Sequence, residues 1–184
     1  MNRLSRQTKQ KEILIREINK FNYFFTAGDL HSKVRKIDDK IGIASVTTGP
    51  GATNAITGVA AAWVDGIPMM VFSGQVRKEI KLSKEDIKEG LRRLGEPQEI
   101  NLLDIIKPIT KYAVCVENPN EIKYHLEKAY YLAKAGKPGP VWIEIPLDVQ
   151  CAEINENNLI GFDKPPKPKY AIPFKEIAEL LNKA

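Results

Sequence analysis

The chain has 184 residues, of which 43% are hydrophobic and 28% charged, and these proportions predict one globular domain with extra segments. No apolar run approaches the roughly 20 residues that a membrane-spanning helix needs, so we expect a cytoplasmic protein with no membrane partner. The net charge of +5 comes from residues 1–40, which hold 10 Lys and Arg against 5 Asp and Glu, and an excess confined to one segment argues against a nucleic-acid partner.

The first 40 residues differ in pattern from the remainder of the chain. Residues 1–11 are basic and polar and predict a poorly ordered arm. Apolar side chains within residues 9–25 are spaced to form one face of a helix. We therefore expect 1–40 to be a partly helical segment that precedes an α/β domain at 41–150.

Residues 41–74 have the pattern of a strand, a tight turn, a helix and a second strand. Residues 41–48 are rich in β-branched side chains and end at a Gly-Pro-Gly turn at 49–51, after which residues 52–64 are mostly small and apolar. Residues 69–74 are almost continuously apolar, as in a strand that is buried on both faces. This order is typical of the opening of a parallel α/β unit.

The middle of the chain is less regular. Residues 77–96 are highly charged and predict a surface loop with a short helix over 84–93. Residues 98–106 have a helical pattern, which we expect to end before Pro108 because a residue that precedes proline is disfavoured in the helical region. A strand is predicted over 111–116.

The most strongly marked helix is predicted over residues 119–135. Asn118 is a good N-cap, Glu121 is placed to reach back to that cap, and Gly136 can adopt the left-handed conformation that ends a helix. Its apolar residues fall on one stripe, so we expect the helix to pack on the sheet. A buried strand over 141–147 is predicted to follow.

Residues 151–184 are expected to lie beyond the α/β domain. Residues 151–172 contain closely spaced prolines and predict an extended linker of limited flexibility. Residues 173–181 predict the first helix of a further domain. The expected fold is thus an α/β domain with a parallel sheet that has helices on both faces and is incomplete.

The turn at 49–51 is the first candidate for a functional site. A strand that leads through glycines into a helix start leaves N–H groups for an anionic or polar ligand, although a tight crossover turn without a ligand explains the same residues. A nicotinamide site is disfavoured, because Asn54 stands where the dinucleotide motif has its third glycine.

The other candidates have no partners at functional spacing. His31 and His125 are expected to be surface or packing residues, and Cys115 and Cys151 to be idle thiols, so no metal ligands are predicted. Three acidic side chains are expected to be solvated or to lie at helix ends, namely Glu99, Asp104 and Glu144.

Three motifs follow one another in a specific order: GPGATN at 49–54, SGQV at 73–76 and GPVWIEIPLDVQ at 139–150. Together they resemble the N-terminal pyrimidine-binding domain of thiamine diphosphate enzymes of the acetolactate synthase large-subunit type. The resemblance extends over about residues 40–184 and implies the flavodoxin-like α/β fold of that domain. It also implies a transferase of branched-chain amino acid biosynthesis, which decarboxylates pyruvate and joins the product to a second 2-oxo acid.

The resemblance implies thiamine diphosphate and Mg²⁺ as cofactors of the complete enzyme, and leaves FAD use open. The turn and Asn54 would lie beside the aminopyrimidine ring and a subunit interface, with Gln75 and Gln98 bordering the entrance. For each, a contact and a scaffolding role both remain open, whereas Lys111 is expected to be structural. The residues so implied for cofactor binding are Gly49, Pro50, Gly51, Asn54, Gln75 and Gln98.

The sequence also departs from the family pattern. The activating glutamate of the family would fall near Phe24, where no acidic residue stands, so no catalytic residue is assigned. The middle domain and the diphosphate domain that binds Mg²⁺ are missing from these 184 residues. We therefore expect a fragment that is inactive alone, and that acts as a homodimer or with a full-length or diphosphate-domain subunit. A non-catalytic interaction module and another decarboxylase or lyase branch stay open as alternatives.

Overall fold

The computed structural model describes residues 40–91, 98–166 and 174–182. The helix predicted within residues 9–25 lies outside these ranges, as does the end of the helix predicted over 84–93.

Four parallel strands form the sheet of the described residues, and each coincides with a predicted strand. Their order in the sheet is β1-β2-β4-β3, so the two apolar strands β2 and β4 are central and pair along their whole lengths. Central strands of a parallel sheet are covered on both faces, which explains their nearly unbroken apolar sequences. The strands are β1 Gly42–Val46, β2 Met69–Gln75, β3 Tyr112–Cys115 and β4 Pro140–Pro146.

Helices connect these strands, and single 3-10 turns lie between them. The α-helices of the described ranges are α1 Pro50–Thr53, α2 Ile56–Asp65, α3 Lys84–Lys88, α4 Leu102–Ile106, α5 Ile122–Lys134, α6 Leu147–Gln150 and α7 Phe174–Leu181. The 3-10 turns are Lys78–Ile80, Lys107–Ile109, Pro119–Glu121 and Glu156–Asn158.

Helices pack on both faces of the sheet, as predicted. Alternate residues of the central strands point to opposite sides: Phe72 and Ile143 face α5, whereas Val71 and Trp142 face α2 and α4. Both sides are closely packed, and Val71, Trp142 and Ile143 are fully buried. The parallel α/β architecture is therefore confirmed.

Several predicted helix limits are wrong. The helix expected over 52–64 is divided into α1 and α2 by Asn54 and Ala55. The helix expected over 98–106 begins only at Leu102, but it ends at Ile106, before Pro108, as predicted, and a 3-10 turn follows it. Pro108 stands in the first turn of a 3-10 helix, where the N–H that proline lacks has no partner to lose.

The helix predicted over 119–135 is confirmed, with differences at its start. Asn118 does act as a cap, because its side chain accepts a hydrogen bond from the Asn120 backbone N–H at 3.1 Å. The first turn is 3-10, and the Glu121 carboxylate accepts from the Asn118 side-chain amide at 3.5 Å, while the Glu121 backbone N–H donates to the Asn118 carbonyl at 3.0 Å. Gly136 has the predicted left-handed conformation, with φ at +59°.

The last described helix, α7, is the helix predicted over 173–181. Its apolar residues Phe174, Leu180 and Leu181 are about 70% exposed, so they are not packed against the described domain. No described helix is both long and apolar enough to cross a membrane.

Candidate functional site

The glycine turn lies at the edge of the sheet where the parallel strands have their carboxyl ends, which is where ligands bind in open α/β sheets. Gly49 has φ +59° and ψ −125°, a conformation that side-chain-bearing residues avoid. A Cβ atom at Gly49 would overlap the carbonyl oxygen of Gln98. The turn is therefore in van der Waals contact with the segment 98–100, and glycine is required for that contact.

The turn is closed by its own backbone. The N–H groups of Ala52 and Thr53 donate to the Gly49 carbonyl at 2.9 and 3.1 Å. Two of the N–H groups at the helix start are thus engaged within the turn, so the prediction that N–H groups there are left for an anionic ligand is wrong for this pair. The reason is that α1 is only one turn long, and its first amides bond back to the residue before it.

The side chains around the turn are accessible. Pro50 and Asn54 are exposed, and so is Gln98, whose backbone contacts the turn. Gly49 itself is buried, and Gly51 lies close to the Thr47 side chain. The structure therefore brings the turn and Gln98 together and leaves the side chains of Pro50, Asn54 and Gln98 exposed. Whether these residues bind a cofactor stays a prediction.

Gln75 has a different setting, because its side chain is buried. Its Oε1 accepts from the Val76 backbone N–H at 2.9 Å and from Thr48 Oγ1 at 3.3 Å. Its Nε2 donates to Glu144 Oε1 at 3.3 Å and to the Ile100 carbonyl at 3.4 Å. Gln75 thus lies behind the turn and bonds to protein groups on both sides of it.

Glu144 is not a solvated charge, so that prediction is wrong. It is the fifth of the seven residues of β4, toward the carboxyl end of the strand, and is only 1% exposed. Burial raises the pKa of Glu144 to about 7, and the nearby Lys81 cation and the hydrogen bond from Gln75 oppose that rise. The carboxyl therefore changes its charge close to neutral pH.

Glu99 is also buried, contrary to prediction, and accepts a hydrogen bond from the Leu82 backbone N–H. That bond ties the loop after β2 to the segment that contacts the turn. Asp104, in contrast, is exposed in the first turn of α4 and pairs with Lys107 at 2.9 Å, as predicted for a helix-end charge.

A small group of ionisable side chains lies next to Glu144. Cys115 of β3 stands directly opposite Glu144 in the strand register. Burial raises the pKa of the Cys115 thiol to about 11, although Lys81 opposes the rise. Burial lowers the pKa of Lys81, but the neighbouring Cys115 and Glu117 outweigh that effect and raise it. The thiol is therefore protonated at neutral pH and the amine is charged.

The remaining sequence candidates have structural roles. His125 packs beside Tyr112, with its Nδ1 at 2.7 Å from the tyrosine hydroxyl, and burial lowers its pKa. Lys111 donates hydrogen bonds to the carbonyls of Ala135 and Lys137 just after α5, as a structural lysine would. Cys115 and Cys151 are free thiols, as predicted. His31 lies outside the described residues.

No group of three or more His, Cys, Asp or Glu side chains within 40–91, 98–166 and 174–182 is arranged to hold a metal ion. Around the glycine turn itself, the exposed polar side chains include the carboxamides of Asn54 and Gln98. Such groups recognise a polar ring through donor and acceptor pairs.

Comparison with known proteins identifies the type of domain. A sequence model of the family described as thiamine pyrophosphate enzyme, N-terminal TPP binding domain, matches residues 26–102. The acetolactate synthase large subunit of Corynebacterium glutamicum is 35% identical over 182 residues, which cover 96% of this chain and 26% of that protein. The large subunit of Lactococcus lactis is 41% identical over 123 residues, or 67% of this chain and 20% of that protein.

A third relative shows the same relation. Acetolactate synthase isozyme 3 large subunit of Escherichia coli is 39% identical over 110 residues, which are 60% of this chain and 17% of that protein. The chain thus spans about a quarter or less of the length of the curated relatives it matches.

Proposed function

The chain contains the N-terminal domain of the thiamine pyrophosphate enzyme family, of the acetolactate synthase large-subunit type, and from that premise we propose that it supplies one half of a thiamine diphosphate site. In this proposal the exposed surface around the Gly49 turn faces the aminopyrimidine ring, and another polypeptide faces the diphosphate. The observation that carries it is the turn itself. Gly49 is locked against Gln98 while Pro50 and Asn54 stay accessible at the carboxyl edge of the sheet.

The residues present fit a pyrimidine ring. An aminopyrimidine offers both hydrogen-bond donors and acceptors, and the carboxamides of Asn54 and Gln98 can pair with either kind. Pro50 offers an apolar surface beside them. The bound cofactor supplies the carbanion chemistry that decarboxylates a 2-oxo acid such as pyruvate and transfers the remaining group to a second 2-oxo acid. The contribution of this chain is to orient the ring and to exclude water from one side of it.

In this proposal, other parts of the assembly supply two groups that the reaction needs. The buried acids at this edge, Glu99 and Glu144, already hold Leu82 and Gln75, so neither is placed to protonate a ring nitrogen at the surface. The 184 residues also lack the segment to which the family resemblance assigns Mg²⁺ and the diphosphate. We therefore propose that the chain is inactive alone and works with a second copy or a diphosphate-domain subunit.

The test is calorimetric titration of the full chain with thiamine diphosphate and Mg²⁺, first alone and then after co-purification with a complete acetolactate synthase large subunit. We expect the isolated chain neither to bind thiamine diphosphate nor to consume pyruvate. We expect the mixed assembly to bind more thiamine diphosphate than the large subunit binds alone. Asn54→Ala should weaken the added binding, whereas Asn157→Ala, which alters an exposed asparagine outside the carboxyl edge, should not.

Different results would contradict different parts of the proposal. Pyruvate turnover by the isolated chain would refute its inactivity. A stable mixed assembly that adds no cofactor binding would refute the half-site and favour the alternative of a non-catalytic interaction module.

A further inference from the structure

Glu144 belongs to a polar row inside the sheet, at the end nearest the glycine turn. In the strand register, Ser73 of β2 and Cys115 of β3 lie opposite Glu144 on its two sides. The row follows Trp142, whose indole N–H donates to Ser73 Oγ at 2.9 Å. Burying a carboxyl group in this row is costly unless it has hydrogen-bond partners. Glu144 is therefore expected to have a polar partner inside the sheet.

What it holds is the Gln75 carboxamide. One end of that carboxamide bonds to Thr48, the residue directly before Gly49. The other end bonds to Ile100, two residues after the Gln98 carbonyl that Gly49 touches. A single buried side chain thus connects the two segments that meet at the turn.

A carboxylate is suited to fixing this carboxamide in one orientation. A glutamine amide can rotate so that its oxygen and nitrogen exchange places, and the reversed form would direct Nε2 at the Val76 backbone N–H, one donor against another. An ionised Glu144 has only acceptors, so it selects the orientation in which Nε2 faces it. The Val76 N–H at Oε1 and the Glu144 carboxylate at Nε2 then both favour the same orientation of the amide.

We propose that Glu144 is a positioning residue: it fixes the Gln75 carboxamide and thereby holds the Gly49 turn and the segment 98–100 in register with each other. Its relevance to a cofactor rests on the function proposed above, whereas the positioning itself is a property of this domain. Glu144 acts through Gln75 and reaches no ligand.

The charge of Glu144 controls how strongly it fixes the amide. The titratable groups nearest to it are Lys81 from the loop after β2 and Cys115 from β3, and burial outweighs the attraction of Lys81. A protonated carboxyl can donate to Gln75 Oε1, so it no longer opposes the reversed amide, which is then opposed only by the Val76 N–H and the Ile100 carbonyl. Acidification through neutral pH should therefore loosen the turn, even though it removes a buried charge and stabilises the domain as a whole. Acidification should thus lower the protection of the turn while it raises the stability of the whole domain. This difference in sign separates the positioning effect from a change in general stability.

The experiment is amide hydrogen exchange at Ala52 and Thr53, whose N–H groups donate to the Gly49 carbonyl. Exchange is measured at pH 6 and pH 8 without cofactor and corrected for intrinsic rates. In the wild type we expect protection at pH 8 to exceed that at pH 6 by about tenfold, because hydrogen bonds to charged groups are among the stronger ones. Glu144→Gln keeps an acceptor but cannot ionise, so its protection should not change between the two pH values.

Glu144→Leu and Ser73→Ala complete the set. Glu144→Leu removes the acceptor and should lower protection at both pH values, whereas Ser73→Ala deletes a neighbouring buried hydrogen bond and should keep the pH dependence of the wild type. A pH dependence in Glu144→Gln equal to that of the wild type overturns the proposal, even if Glu144→Leu does not fold. A wild type that shows the expected signal but adds no cofactor binding in the mixed assembly overturns only the proposed function.

Discussion

Replacing Gly49 with alanine should be severely destabilising, and the structure gives two separate reasons. At φ +59° and ψ −125° a residue with a side chain is strained by about 1 to 3 kcal/mol. The new methyl group would also overlap the carbonyl oxygen of Gln98. That atom is backbone and cannot rotate away, so the segment 98–100 must shift, which costs about 1 to 3 kcal/mol more. The expected loss is about 2 to 6 kcal/mol, a large share of the stability of a small domain.

Urea unfolding measures this loss, with the fluorescence of the buried Trp142 among the signals that report it. The matched control is Gly58→Ala in the first turn of α2, where a Cβ atom would meet nothing within 4 Å. Because alanine is the better helix former, this control should gain about 0.5 to 1 kcal/mol. The same substitution thus has opposite signs nine residues apart. A Gly49→Ala variant within about 0.5 kcal/mol of the wild type, the range of neutral surface changes, would refute the described turn.

Three further predictions concern other side chains. Iodoacetamide at pH 8 should modify the exposed Cys151 well before Cys115, whose pKa burial raises to about 11; mass spectrometry of timed samples checks the order. Lys111→Met should lower the free energy of unfolding by about 1 to 2 kcal/mol, because it leaves the carbonyls of Ala135 and Lys137 without their donor. The control Lys107→Met breaks an exposed ion pair and should cost at most about 0.5 kcal/mol. Thermal unfolding measures both. The folded state raises the pKa of Glu144 from 4.5 to about 7, so it retains a proton that the unfolded chain loses, and stability should fall by roughly 3 kcal/mol as pH rises through that window. Urea titrations at several pH values should show this fall in the wild type relative to Glu144→Gln, and equal slopes for the two proteins would contradict it.

The sheet could be predicted from sequence because its central strands have a strong local signal. β2 and β4 are short, nearly unbroken apolar runs between glycine and proline residues, and that combination is typical of a strand covered on both faces. The helix α5 was equally predictable, since its cap, its apolar stripe and its terminal Gly136 all lie within one short segment. Local agreement of this kind needs no knowledge of distant contacts.

The limits of the other helices depended on contacts that the sequence does not display. Residues 98–101 are not helical, and the carbonyl of Gln98 instead lies against Gly49 in the glycine turn. Their helical pattern was overridden by that tertiary contact. The predicted end before Pro108 is correct, since the α-helix stops at Ile106, and the chain then continues into a separate 3-10 turn.

Glu144 shows how far sequence reasoning could have gone at the site. A strand over 141–147 that is buried on both faces leaves no solvated position at its centre, so the prediction of a buried strand already contradicted the prediction of a solvated carboxylate. Burial was therefore readable from the sequence, and with it the need for a hydrogen-bond partner. The identity of the partner was not readable, because Gln75 lies 69 residues earlier and meets Glu144 only through the pairing of β2 with β4. The sequence of β4 thus shows that Glu144 needs a buried hydrogen-bond partner. It does not show that Gln75 is that partner, because Gln75 belongs to another strand.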